Sequence, residues 1–416
     1  MSRIYLDHNA TSPPSAEHLA QVFQKLQQHS GNPSSPHAFG RNASVALTEA
    51  RRSVARSMGV DVSDVIFVSG GTEADNLGTV GVLHSNNIAI NKQHAVISNI
   101  EHPAVSEPLE QLQLKEGLQL TKLSVDKSGY VSFEDAILSI TTKTTLLSIM
   151  AANNEIGTIQ PVKKIADFLH YKRWSSLADP TLKDEFDAFS LRLDPSLTTD
   201  VFRNLHFHVD AVQTYGKLPY SLWFSDGIDS CALSAHKVGA LQGVGALILR
   251  RGRKFKPFIY GGAQEKNRRA GTENLPGIIS FGLIAEEILQ PFWFEQVQNM
   301  ENLRREFFYN LSLLPNLEMN SSLENSVTNT INFSITGKKM SGEDLLVQLD
   351  LSGICASSGS ACSSAANLPS KVILALGKSP QMAKNAVRFS LSLKTDQADI
   401  LKTLQAIKTY LQSEHF

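Results

Sequence analysis

Cys362 stands in the run SSGSACSSA (357–365), a thiol flanked on both sides by Ser, Gly and Ala. A core cysteine keeps large apolar neighbours, and a disulfide cysteine needs a partner. Cys231, Cys355 and Cys362 form no CxxC pair, which argues against a disulfide scaffold or a zinc ribbon. A thiol among small residues is a candidate nucleophile with room to move; an incidental cysteine on a linker is the bland alternative. Lys237 follows the apolar run SCAL, beside Ser234 and His236 and ahead of a glycine-rich stretch. Most lysines lie on solvated faces. One at the end of a buried strand is a desolvated amine able to form a Schiff base with a carbonyl cofactor.

Asp210 closes the run HFHV and can either cap a helix or hold the proton on a cationic ring nitrogen. His102, in NIEHPA, is either a packed core histidine or one that stacks on a flat ring and shuttles a proton. Arg388, in AVRFSLS, sits among apolar residues, where it needs an anion: a bound carboxylate or an internal salt bridge. Gly70, Gly71 and Thr72 lie between an apolar run and a helical stretch. That is either an ordinary turn or a cradle whose backbone N–H groups take a phosphate. Neither a GxxxxGK[ST] loop nor a convincing GxGxxG is present. His206 and His208 alternate along one run with no third ligand signal and read as packing, so no metal site is expected.

The elements that carry these groups recur in one pattern: a short apolar, β-branched run, then polar residues, then a helical stretch. VIFVS (65–69), HAVISN (94–99), TLLSIMAA (145–152), HFHV (206–209) and SCAL (230–233) each read as a buried strand. Such alternation predicts βαβ units and a mainly parallel sheet. Ligands of open α/β sheets bind beyond the carboxyl ends of the strands, where nearly every polar group above falls. The texture changes near residue 262. A large domain over 15–262 is expected, with 1–14 and 263–416 forming a smaller α+β domain that carries the Cys362 loop. Residues 172–204, rich in Pro, Asp and Ser, read as a surface insertion.

Bulk properties narrow the class. Lys and Arg number 39 against 40 Asp and Glu, so no global field draws nucleic acid or anionic membrane. No apolar run approaches the roughly 18 residues that span a bilayer, and the first residues lack a long apolar h-region. The expectation is a soluble, cytoplasmic enzyme with no membrane or direct nucleic-acid partner.

Motifs distributed along nearly the whole chain carry a resemblance. YLDHNATSP, GNPSSPHAFGR, VIFVSGGTEADNL, EHPAV, NNEIGTIQP, FHVDAVQTYGKLP, SAHKVGALQGVGAL, RRAGTENLPG, SSGSACSSA and VRFSLS occur in that order. Together they resemble the cysteine desulfurases of the NifS/IscS type, in the class-V aminotransferase group of fold-type-I pyridoxal-phosphate enzymes.

The resemblance implies an α/β fold-type-I architecture with a mainly parallel, seven-stranded-type sheet in the large domain. It implies pyridoxal 5′-phosphate bound through Lys237, with Gly71, Thr72, Ser234 and His236 at its phosphate. Thr272 would reach the phosphate of a neighbouring subunit, hence a homodimer. Asp210 would pair with the pyridine nitrogen, Gln213 with the phenolic oxygen, and His102 would stack over the ring. Asn154 and Arg388, with Asn32 as a further candidate, would hold the carboxylate of L-cysteine. Cys362 would take the sulfur as a persulfide and pass it to an acceptor such as an iron–sulfur scaffold. The family's lysine loop usually reads HK, two residues, then GPKG or a close variant; this chain reads HKVGALQG at 236–243, the same length but without the proline and second lysine, and the 172–204 segment is extra. Selenocysteine lyase, cysteine-sulfinate or aminotransferase chemistry on the same fold is the closest rival, and a non-catalytic sulfur-carrier platform the more distant one.

Overall fold

A computed structural model describes residues 3–177, 179–337, 341–359 and 368–412. Cys362 lies outside the described residues. Twelve strands are described: β1 (Ile4–Tyr5), β2 (Val65–Val68), β3 (His94–Ser98), β4 (Gln119–Leu123), β5 (Thr144–Ser148), β6 (His206–Asp210), β7 (Ser230–Ser234), β8 (Gly245–Leu249), β9 (Leu317–Met319), β10 (Thr330–Ile335), β11 (Ile354–Cys355) and β12 (Ala386–Ser390). Seven of them form the central sheet in the order β2-β8-β7-β6-β5-β3-β4. The run from β7 to β4 is parallel. β8 runs antiparallel to both β2 and β7, so β2 points the same way as the parallel strands. The mainly parallel seven-stranded sheet expected from the motifs is therefore present.

All five apolar runs picked out in the sequence form central-sheet strands, and every residue of those strands is buried. Strands covered on both faces read as continuous apolar runs, which is why they stand out. β4, on the sheet edge, is QLTKL and only partly buried, and nothing in its pattern marks it as a strand. Layers of helix cover the sheet. Ala38–Met58 and Leu275–Ile288 lie against one another so closely that a Cβ on Gly282 would stand 2.6 Å from Ala50 Cα. Phe281 of the second helix meets Phe67 of β2, ring centroids 6.5 Å apart. The apolar helix that follows residue 262 thus covers the large sheet.

A smaller antiparallel sheet, β12-β10-β9, and the parallel pair β1–β11 complete the architecture. Backbone bonds tie the N-terminal strand region to both: Leu6 N–H donates to Cys355 O and Ser390 N–H to Leu6 O. Residues 172–204 are less superficial than their composition predicts. Helix Lys183–Ser190 folds Phe186 into a nest with Phe133, Phe168 and Phe189, and Phe186 and Phe202 are fully buried. Polar and charged residues mask these aromatic anchors in the composition. Among the described residues no helix is long and apolar enough to cross a membrane.

Candidate active site

Because β2, β3, β5, β6 and β7 share a direction, their carboxyl ends converge on one edge of the sheet. A cavity of about 460 Å3 opens there. β2 delivers Gly70, Gly71 and Thr72 at the start of a helical segment. β3 leads through Ile100 to His102, β5 to Asn154, β6 ends in Asp210, and β7 ends in Ser234 and leads to His236 and Lys237. From the small sheet, β12 adds Arg388. Gly71, Thr72, His102, Asn154, Asp210, Gln213, Ser234, His236, Lys237 and Arg388, scattered over more than 300 positions, all line this one cavity.

Lys237 Nζ donates to the carbonyls of Asn9 and Ala10 at 2.7 and 2.8 Å. Asp210 is buried and its Oδ1 accepts from Val212 N–H at 2.9 Å. That closes an Asx turn, since no helix begins there, and the carboxylate also lines the cavity. Burial raises its pKa, opposed by His102 and Lys237 nearby. His102 caps the helix Pro103–Glu116: Ala104 N–H donates to its Nδ1 at 3.1 Å. Burial lowers the His102 pKa, so the ring is neutral and its proton must sit on Nε2. His236 is also neutral, lowered to about 4 by burial and by Lys237, with Nδ1 3.0 Å from Thr11 Oγ1. Arg388 makes the internal salt bridge that its burial calls for. It lines the cavity, and its Nη2 donates to Asp7 Oδ1 at 2.6 Å.

Two of the sequence candidates stand elsewhere. Asn32 is exposed on a turn, where its Oδ1 accepts from Ser34 N–H. Thr272 lines a separate recess of about 200 Å3 together with Arg269. His206 and His208 pack beneath the sheet edge, joined through Ser230 Oγ at 2.7 and 2.8 Å, and burial holds both near pKa 3. Asn9 was not singled out in the sequence. It is 2% exposed, lines the cavity, and bonds to Lys237, Gln213, Lys217, Asn154 and Thr330. Its signal was only its place inside YLDHNATSP.

The donor set fits a phosphorylated pyridine aldehyde. An amine for the carbonyl, a buried carboxylate for the ring nitrogen, and a glycine–threonine helix start with a serine hydroxyl for the phosphate share one space. The class-V aminotransferase family model matches residues 4–181 and 199–402, leaving out 182–198, which include the Phe186 helix. The chain belongs to this family. It is 39% identical over 406 residues to Cysteine desulfurase 2 of Trichormus variabilis, covering 97% of this chain and 92% of the relative. To the cysteine desulfurase IscS of Dictyoglomus turgidum it is 35% identical over 410 residues, covering 98% and 94%. A solved NifS-like protein superposes with a TM-score of 0.82 at 30% identity, covering 99% of both chains. SspA in complex with cysteine superposes with a TM-score of 0.72 at 26% identity, over 93% of this chain and 98% of that one.

Proposed function

We propose that this chain is a cytoplasmic, pyridoxal-phosphate-dependent cysteine desulfurase that converts L-cysteine to L-alanine and carries the sulfur on Cys362. The observation that carries the reading is the meeting of Lys237, Asp210 and Arg388 in one cavity. Bound pyridoxal phosphate supplies an electron sink for the carbanion left at the substrate's α-carbon. Lys237 provides its point of attachment and, once released, the base that moves the α-proton. Asp210 keeps the proton on the pyridine nitrogen, and a buried carboxylate with few competing partners suits that task. Thr72, Ser234 and His236 hold the phosphate, with Gly71 allowing close approach and Thr272 reaching across to a second copy in a homodimer. His102 lies over the ring and offers Nε2–H. Arg388 and Asn154 take the substrate carboxylate. The Cys362 thiol then receives the substrate sulfur: the substrate's Cβ–S bond breaks as an S–S bond forms on the enzyme, and one thiol hydrogen goes to the freed carbon, giving alanine. The persulfide passes to an acceptor protein such as an iron–sulfur scaffold.

Purified protein given L-cysteine and a reductant should release alanine and sulfide in equal amounts, and Cys362→Ala should lose both. Full sulfide release by Cys362→Ala would overturn the role of that thiol. A Lys237→Ala protein that still retained covalently bound, borohydride-reducible cofactor would overturn the attachment site.

A further inference from the structure

Lys217 follows Gln213 by four residues in FHVDAVQTYGKLP, and nothing proposed above uses it. Its side chain is buried, 6% exposed. Burying an amine is costly unless its N–H groups are satisfied, and the usual solution is a carboxylate. Here its acceptors are two side-chain amides: Gln213 Oε1 at 2.7 Å and Asn9 Oδ1 at 2.8 Å.

An amine offers N–H donors, so the atom each amide turns toward it must be the oxygen. That decides where both NH2 groups go. Gln213 Nε2 donates to Asn9 O at 3.2 Å, the same carbonyl that receives Lys237 Nζ. Asn9 Nδ2 donates to Thr330 Oγ1 and to Asn154 O, and Arg388 Nη1 reaches that second carbonyl too. One buried amine thus fixes the Gln213 amide at the Lys237 end of the cavity and, together with Asn329 Nδ2, which donates to the same Asn9 Oδ1 at 3.0 Å, the Asn9 amide at the Asn154 and Arg388 end. Two N–H groups are enough for this, so the arrangement holds with or without a third proton. We propose that Lys217 is a positioning residue for the reaction, locking the Gln213 and Asn9 amides so that Gln213 presents its NH2 beside Lys237 and Asn9 presents its own to the Asn154 backbone. The inference rests on the pyridoxal-phosphate reading of the cavity.

A double-mutant cycle on the full chain tests it, with cofactor uptake by apoprotein, followed by absorbance, as the main readout. Lys217→Met should weaken pyridoxal-phosphate binding about tenfold, the effect of losing one hydrogen bond, and shift the absorbance of the bound cofactor. In a Gln213→Ala background the same change should add less than about threefold, because the partner it orients is gone. Lys217→Arg should recover part of the loss. Additive effects, or unchanged binding in Lys217→Met, would overturn the inference. If Lys217→Met does not fold, Gln213→Glu decides: it keeps an oxygen facing Lys217 but lacks the NH2, and should bind cofactor as poorly as Gln213→Ala. Wild-type affinity in Gln213→Glu overturns the proposal. Wild-type apoprotein that takes up no pyridoxal phosphate overturns the cofactor reading along with it, whereas normal wild-type uptake with additive mutants overturns the inference alone.

Discussion

Arg388, which lines the cavity, and Asp7, 381 positions away in sequence, form an ion pair at 2.6 Å. Arg388 is 1% exposed, its Nη1 donates to Asn154 O, and its Nε has no partner among the described residues. Asp7 therefore compensates a buried guanidinium that still has a donor to offer. Replacing the planar fork by a single ammonium forfeits bidentate recognition. Arg388→Lys should raise KM for L-cysteine roughly tenfold or more with a smaller change in kcat. Asp7→Asn should instead lower the unfolding free energy by about 3 kcal/mol, because it strands a buried charge. Steady-state kinetics and urea unfolding separate the two; an unchanged KM in Arg388→Lys would place the substrate carboxylate elsewhere.

Glu101 sits beside His102 with a carboxyl that is almost wholly buried. Its Oε1 accepts from Ser98 Oγ at 2.5 Å and Met150 N–H at 3.0 Å, while Oε2 has no partner among the described residues. Burial pushes its pKa up to about 8, against the pull of those two bonds. The folded protein thus keeps Glu101 protonated where the unfolded chain has already ionised it. Its contribution is fully present below about pH 4 and drains away as pH rises toward 8. Glu101→Gln preserves the oxygen that accepts both bonds and removes the titration. The variant should match wild type near pH 4 and exceed it by on the order of 4 kcal/mol at pH 8–9. Denaturant curves at the two pH values check this, and a difference independent of pH would refute it.

What could be read in advance followed burial. Central strands such as VIFV and HAVIS advertise themselves because both faces are dry, and the polar residues at their ends mark the ligand edge. The ten cavity residues could be named because they sit in motifs of fixed order. Edge strand β4 and the β8 run inside GVGALIL escaped, the first because one face is wet and the second because glycines surround it. Asn9 escaped for another reason: hydrogen bonding through an amide and a backbone carbonyl leaves no trace in composition or periodicity. For Arg388 the sequence leaves salt bridge and ligand open; the fold supplies the salt bridge through Asp7 and sets the arginine in the cavity lining.

The segment outside the family match makes its own prediction. Phe186 is fully buried, with its ring 5.2 Å from Phe168 and stacked on Phe133 at 6.2 Å. A surface decoration would tolerate truncation there. A core anchor would not, because the ring's transfer free energy and the cavity it leaves add together. Phe186→Ala should cost about 3 kcal/mol of unfolding free energy while leaving cofactor absorbance and KM as in wild type. Loss below about 0.5 kcal/mol would mean the insertion merely rests on the surface.

His102 does two jobs that one substitution can separate. Its Nδ1 caps the helix Pro103–Glu116, and that cap is what leaves the proton of the neutral ring on Nε2, in a residue that lines the cavity. Asparagine is a good N-cap, since its side-chain oxygen can accept the same Ala104 N–H. It has no ring to lie over a flat cofactor and no Nε2–H to move. His102→Asn should therefore keep stability within about 1 kcal/mol of wild type while kcat falls by roughly 100-fold or more, the range for losing a positioned acid–base group. His102→Ala should show the same kinetic loss plus about 1 kcal/mol from the missing cap. If His102→Asn kept wild-type kcat, the histidine would be only a helix cap, and proton transfer would have to be assigned to Lys237 without its help.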